Sequence, residues 1–310
     1  MLFEEQDCVS ILVIADLHGN LSLLKKALSR GAALNGFIKK GLNVVLLGDL
    51  VDNGPEVPQL LEYLSTKAWE REPIADYIFD LKCICGNHDM MMILSVCPEQ
   101  FNVCPSYRYF TRNGGNISAW GKWTSHFQNV GGETHLQYNN SLNNRELLSN
   151  IPPHHIKYLQ ELPLFLLIEP YLFVHAGIRD PEVQSLEEQL AFLTKRDLFD
   201  MPIFDAKTCP TGHCYGRGRN YGIPDQLANK DWSKSNYPAA EVIVVTGHNK
   251  YDEEQNFLAT HRIGFHSCAC MIPRFPSLPL NCAILKRGSI GQTLDDLPPL
   301  FFSVSVLEDV

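Results

Sequence analysis

Residues 11–20 read Ile11-Leu-Val-Ile-Ala-Asp16-Leu-His18-Gly19-Asn20, an apolar run of strand length that ends on a carboxylate and an imidazole. Two further segments share this construction. Val44 to Leu47 runs into Gly48-Asp49-Leu-Val-Asp52-Asn53-Gly54-Pro55, and Leu81 to Cys85 runs into Gly86-Asn87-His88-Asp89. Each places polar donors where a buried strand ends, which is where open α/β sheets bind ligands. Asp, Asn and His at such ends suit a divalent metal that accepts mixed oxygen and nitrogen donors.

Two later segments repeat the pattern: Leu172-Phe-Val-His175-Ala-Gly177 and Val242-Ile-Val-Val-Thr-Gly247-His248. A lone histidine after an apolar run is most often a satisfied structural residue. Five such strand ends in one chain form a pattern, and the adjacent glycines let the backbone turn sharply or approach a small ligand.

The segments between these ends give the organisation. Leu21, Leu24 and Leu28 form a stripe at helical spacing, with Asn20 as the N-cap. A strand at Asn43–Leu47, a helix from Val57 to Ser65 and the strand ending at Gly86 complete a βαβαβ order, which implies a parallel sheet. Residues 90–160 read as a mostly helical insertion beside the site. Within it, Pro152-Pro153 starts a helix whose His154 and His155 are expected on the surface without a metal role. Leu166 to Val174 contains the next strand, Glu187–Leu193 is helical, and residues 199–238 are loop-rich. Strands at Glu241–Thr246, His261–Phe265 and Asn281–Leu285 follow. Motifs from both halves must meet at one site, so residues 1–310 are expected to form a single domain.

The chain has 310 residues, a formal net charge of −9 and ten cysteines. The length and apolar fraction support a sizeable core. The acidic balance argues against general nucleic-acid or membrane-surface binding. The cysteines show no disulfide framework, and Cys83 and Cys85 fall inside an apolar run, so a reducing compartment is expected. With no signal-peptide pattern and no run of about 18 apolar residues, the expected location is the cytoplasm.

The ordered set Asp-x-His, Gly-Asp-x-x-Asp-x-Gly, Gly-Asn-His-Asp, Val-His-Ala-Gly and Gly-His, spanning residues 16 to 248, resembles the calcineurin-like metallophosphoesterase superfamily. The Gly-Asn-His-Asp and Val-His-Ala-Gly forms resemble its phosphoprotein phosphatase branch. The resemblance implies an α/β fold of the α+β sandwich kind, with two mixed sheets flanked by helices. It also implies two divalent metal ions drawn from Mn, Fe, Zn or Mg. By motif, the first ion takes Asp16, His18 and Asp49, and the second takes Asp49, Asn87, His175 and His248. Asp49 then bridges, and a bridging carboxylate offsets the repulsion of two cations about 3.5–4 Å apart. The same resemblance makes His88 the acid that protonates the leaving group and Asp52 its orienting carboxylate. The bland alternative is that Asp52 only caps the turn before Gly54-Pro55.

One position departs from that branch. Asn53 stands where an arginine usually clamps the phosphate, and asparagine has neither charge nor fork geometry. Arg217, between two glycines, is the leading substitute, followed by Arg196 and Arg112; solvated surface charge is the competing reading for each. Residues 186–197 and the Gly216-Arg217…Ile223-Pro224 segment look similar to the Rhizobiales-like phosphatases, which implies a phosphotyrosine preference. Lys250 replaces the second histidine found in many diesterases of the superfamily, which favours the phosphatase branch. His266, Cys268 and Cys270 are spaced too tightly for a usual zinc site. The expected partner is a phosphorylated protein or a small phosphoester. The function expected is a metal-dependent phosphomonoesterase. The alternatives are a dinucleoside polyphosphate hydrolase and a weakly active phosphate-recognition protein.

Overall fold

A computed structural model describes residues 10–96, 109–110, 116–117, 134–139, 150–182, 184–195, 236–237, 241–248, 256–265 and 278–307. Arg112, Arg196, Arg217, Lys250 and the group His266, Cys268 and Cys270 lie outside the described residues.

In chain order the first elements are β1 (Ser10–Ile14), α1 (Leu21–Leu34), β2 (Leu42–Leu46), α2 (Val57–Ser65), β3 (Ile78–Cys83) and α3 (Asn87–Val96). A short pair follows, β4 (Tyr109–Phe110) with β5 (Asn116–Ile117), then α4 (Thr134–Asn139) and α5 (Pro153–Glu161). The remainder is β6 (Phe165–Ile168), β7 (Tyr171–Val174), α6 (Leu186–Lys195), β8 (Ile243–Thr246), β9 (Phe257–Ala259), β10 (Arg262–Gly264), β11 (Leu280–Lys286) and β12 (Leu300–Val304).

The strands form two mixed sheets, ordered β12-β11-β1-β2-β3 and β6-β7-β8-β10-β9. In the first, β1, β2 and β3 are parallel while β11 and β12 run the other way. In the second, β7, β8 and β10 are parallel with an antiparallel strand at each edge.

The register explains why the motifs meet. Ile14 lies opposite Leu46, and Leu46 opposite Cys83, so Asp16, Gly48 and Cys85 leave the first sheet at one level. In the second sheet Phe173 faces Val245, so His175 and Gly247 leave together, joined by a Gly247 N–H to His175 carbonyl bond of 2.9 Å. The side chains alternate with the two-residue period of a strand. Tyr171, Phe173, Ile243 and Val245 join Ile11, Val13 and Cys282 in the main core. Leu172, Val174 and Val244 point the other way, into a smaller cluster packed against Leu186 and Leu190 of α6. Burying each such side chain contributes about 1.5–3 kcal/mol, so the rigid floor of the site rests on this two-sided burial.

Two details differ from the sequence reading. The single strand expected within Leu166–Val174 is a hairpin, β6 and β7, which turns at Glu169-Pro170. Apolar residues continue through both arms, so hydropathy alone shows no break there. Strands β9 and β12 were not anticipated; their apolar runs, Phe257–Ala259 and Leu300–Phe302, are only three residues long, and Leu258 is 51% and Leu300 50% exposed at the sheet edges. Among the described residues no helix is long and apolar enough to cross a membrane.

Candidate metal centre

The loops after β1, β2, β3, β7 and β8 close on Asp49. They are bent tightly: His18, Asp49, Asp52, Asn53 and His248 all have positive φ, between 44° and 73°. Asp, Asn and His tolerate that region better than other side chains do, and such conformations persist where surrounding structure dictates them. Two glycines are required by close approach. A Cβ on Gly86 would strike the Asp49 carboxylate, and one on Gly247 would strike that of Asp16. Asn20 precedes α1 but makes no side-chain cap bond. Its amide instead donates to the carbonyls of Leu17 (2.7 Å) and His18 (2.8 Å), which folds the Asp16–His18 loop back on itself.

Asp49 Oδ2 is ringed by imidazoles. His175 Nε2 lies at 3.4 Å, His18 Nε2 at 3.6 Å and His88 Nε2 at 4.0 Å. These are long for N–H···O bonds. The His175 and His18 distances match donors that each share an ion with Asp49, since bonds of about 2.0–2.2 Å in a tetrahedral site put donor atoms roughly 3.3–3.6 Å apart, whereas His88 stands farther off. Two donor trios, His18/Asp49/His88 and Asp49/His175/His248, each have their ligand atoms within 4.8 Å of one another and share Asp49. Asn87 Oδ1 sits 3.0 Å from His175 Nε2. Asp16 Oδ2 accepts the His248 backbone N–H at 2.9 Å, and its Oδ1 is 3.9 Å from His175 Nδ1. All six expected ligands are therefore together, and His88 joins them.

The tautomers favour a cation. His175 Nδ1 donates to the Leu47 carbonyl at 2.7 Å. Its Nε2 then faces two oxygens, those of Asn87 and Asp49, and a shared proton or a cation can stand between them. Without a metal a proton does so. Burial alone would lower the His175 pKa, but Asp49 and Asp16 outweigh it and raise it to about 10. A divalent ion would take that proton's place. His18 behaves differently: burial, helped by His88 and His175, outweighs Asp49 and lowers its pKa to about 3, leaving it neutral. Its Nδ1 lies 3.2 Å from the Val51 carbonyl and 3.3 Å from Asn53 Nδ2. If Nε2 is to ligate, Nδ1 carries the hydrogen, which the Val51 carbonyl accepts, and turning the Asn53 amide over lets its oxygen share that hydrogen. Asn53 Oδ1, which has no hydrogen-bond partner among the described residues as placed, then gains one. Asn53 is only 5% exposed, and its side-chain amide lies against the His18 ring.

His88 Nδ1 is bonded to Asp52 Oδ2 at 2.9 Å, which leaves Nε2 directed at Asp49. Burial again opposes the charged ring, but Asp49 and the bonded Asp52 prevail and raise the His88 pKa. Burial raises Asp52 to about 6, against the bonds from His88 and Thr134. Thr134 on α4 holds Asp52 at two points: its hydroxyl donates to the carboxylate Oδ1 (2.6 Å) and accepts the backbone N–H (3.0 Å). Asp89 pins the frame behind, accepting the N–H groups of Leu50 (2.8 Å), Val51 (3.3 Å) and Gly86 (2.9 Å).

Asp89 and Thr134 were missed as functional residues. Asp89 was visible as the last member of Gly86-Asn87-His88-Asp89. Thr134 lies 82 positions from Asp52 with no local signal.

Residues 9–265 match the sequence model of the family described as calcineurin-like phosphoesterase. No curated protein matches the sequence. Among solved structures, a mutant of a cold-active protein tyrosine phosphatase aligns with a TM-score of 0.50 and 16% identity, over 92% of this chain and 80% of that one. The cold-active protein-tyrosine phosphatase of a psychrophile Shewanella species gives 0.49 and 17%, over 92% and 80%. A metallophosphoesterase from Sphaerobacter thermophilus gives 0.41 and 14%, over 96% and 89%. At such identities the likeness speaks to fold alone.

Proposed function

The chain belongs to the calcineurin-like phosphoesterase family, which hydrolyses phosphoesters with divalent metals, and on that premise we propose a phosphomonoesterase that acts on phosphoprotein and prefers phosphotyrosine. The observation that carries this reading is Asp49, shared by two donor trios, with the His88–Asp52 pair beside it. Asp16, His18, Asp49, Asn87, His175 and His248 would hold two divalent ions. Bound there, the ions supply a water acidified to hydroxide near neutral pH and charge to offset the phosphate.

The chain's own residues do the rest. Leu47 and Val51 carbonyls fix the rings of His175 and His18, so that each offers Nε2. His88 holds a proton at Nε2 and gives it to the leaving oxygen, while Asp52 keeps the ring oriented and favours its charged form. The phosphotyrosine preference rests on the sequence resemblance at residues 186–197 and 216–224. Arg217, and after it Arg196 and Arg112, would supply the phosphate clamp that Asn53 lacks.

The test compares kcat/KM for matched phosphotyrosine and phosphoserine peptides and for diadenosine tetraphosphate, with Mn²⁺ and with chelator. The reading expects metal-dependent turnover with the phosphotyrosine peptide favoured. Preference for the dinucleotide would replace it with polyphosphate hydrolysis. Binding of phosphopeptide without turnover would leave a recognition protein.

A further inference from the structure

A third group of donors converges away from the catalytic loops. Glu62 near the end of α2 and His154 and His155 at the start of α5 bring their ligand atoms within 4.8 Å of one another. One oxygen, Glu62 Oε2, lies 2.8 Å from His154 Nε2 and 3.0 Å from His155 Nε2. The two rings meet edge to face, with centroids 4.6 Å apart. The sequence reading put both histidines on the helix surface; His154 is there, with 47% of its side chain exposed, but His155 is 2% exposed.

We propose that Glu62, His154 and His155 form a separate binding site for a borderline divalent ion such as Zn²⁺, clasping α2 to α5. The donor set is one that zinc accepts, two imidazoles and a carboxylate, and the exposed side leaves room for water as a further ligand. Both rings present the same nitrogen to the same oxygen. Their separations of 2.8 and 3.0 Å need only a slight opening to admit bonds of about 2.0–2.2 Å. The buried member is already oriented. His155 Nδ1 lies 2.8 Å from the Tyr138 hydroxyl on α4, so with Nε2 on the ion its Nδ1–H donates to that oxygen. This is the outer support that metal-bound histidines ordinarily have. Binding displaces the Nε2 hydrogens, which otherwise both point at one carboxylate oxygen. The two imidazole ligands favour Zn²⁺ or Cu²⁺ over Mn²⁺, so the clasp would remain empty under Mn²⁺ loading that fills a catalytic centre.

The experiment uses the full chain as wild type, His154→Ala and Glu62→Gln, each also in an Asp49→Asn background. Samples are dialysed against micromolar free Zn²⁺, and bound zinc is measured by plasma mass spectrometry alongside thermal unfolding with and without the ion. His154 and Glu62 side chains are about half exposed, so both variants should fold. Wild type should hold one zinc per chain more than either variant, and the same difference should appear with Asp49→Asn. The zinc-dependent rise in Tm should be larger with the trio intact. Equal zinc in wild type and both variants overturns the site and leaves a hydrogen-bonded clasp. A difference that vanishes in the Asp49→Asn background also overturns it, because the ion then belongs to the catalytic centre.

Discussion

Asp52→Asn isolates the proton-donating half of the site. The substitution preserves shape but removes the charge bonded to His88 Nδ1 at 2.9 Å. It also sets a conflict, because the wild-type carboxylate accepts from His88 with one oxygen and from Thr134 with the other (2.6 Å). An amide has one oxygen to serve both. If that oxygen stays on Thr134, the amide N–H faces His88 Nδ1 and favours the neutral ring. A charge-assisted bond contributes about 1.5–3 kcal/mol, which at about 1.4 kcal/mol per decade is roughly a 10- to 150-fold loss in kcat. That is smaller than most of the roughly 10²–10⁴ that general acid catalysis supplies in full, as expected for a residue that supports the acid without replacing it. The assay measures kcat across aryl phosphates of graded leaving-group acidity plus a phosphoserine peptide, with metal content determined on the same samples. The loss should be full for poor leaving groups, shrink for nitrophenyl phosphate, and steepen the dependence on leaving-group pKa. An equal loss across the series, or one that tracks metal content, would refute the acid role and make Asp52 structural.

Further expectations follow the same geometry. Asp49→Asn should abolish turnover and lower bound divalent metal, as measured by mass spectrometry, because the shared oxygen loses its charge; full activity in a rigorously metal-free preparation would contradict this. Thr134→Val should lower kcat and cost about 1–3 kcal/mol of stability through loss of the hydroxyl's two bonds to Asp52, while Thr134→Ser restores both; denaturant unfolding and kcat measured together check it. Gly86→Ala should displace the Asp49 carboxylate and lose metal along with activity, since the added methyl has no space there; a variant with normal metal content would show that the loop can give way.

The sequence determined the parts whose information is local. An apolar run of strand length followed by Asp, His or Asn states both the strand and the polar group at its end, so β1, β2, β3 and β8 were legible, and so was the placing of Asp16, His18, Asp49, Asn87, His175 and His248 beside strand ends; their grouping as one ligand set came from the resemblance of the ordered motifs. The helix over Val57–Ser65 was legible for the same reason, through its spacing. Partners made by folding were not. Thr134 reaches Asp52 from 82 residues away, Asn53 turns to the His18 ring, and Asn20 holds the loop carbonyls instead of capping its helix. Each of these side chains can hydrogen-bond in several directions, and only the packed backbone decides which neighbour is within reach. The hairpin at Glu169-Pro170 and the edge strands β9 and β12 were hidden for a related reason. Pairing sets their boundaries, and pairing depends on strands distant in the chain. His155 makes the same point at the surface: beside His154 in sequence, it is buried because α5 packs on α2, and that packing brings both rings to one carboxylate.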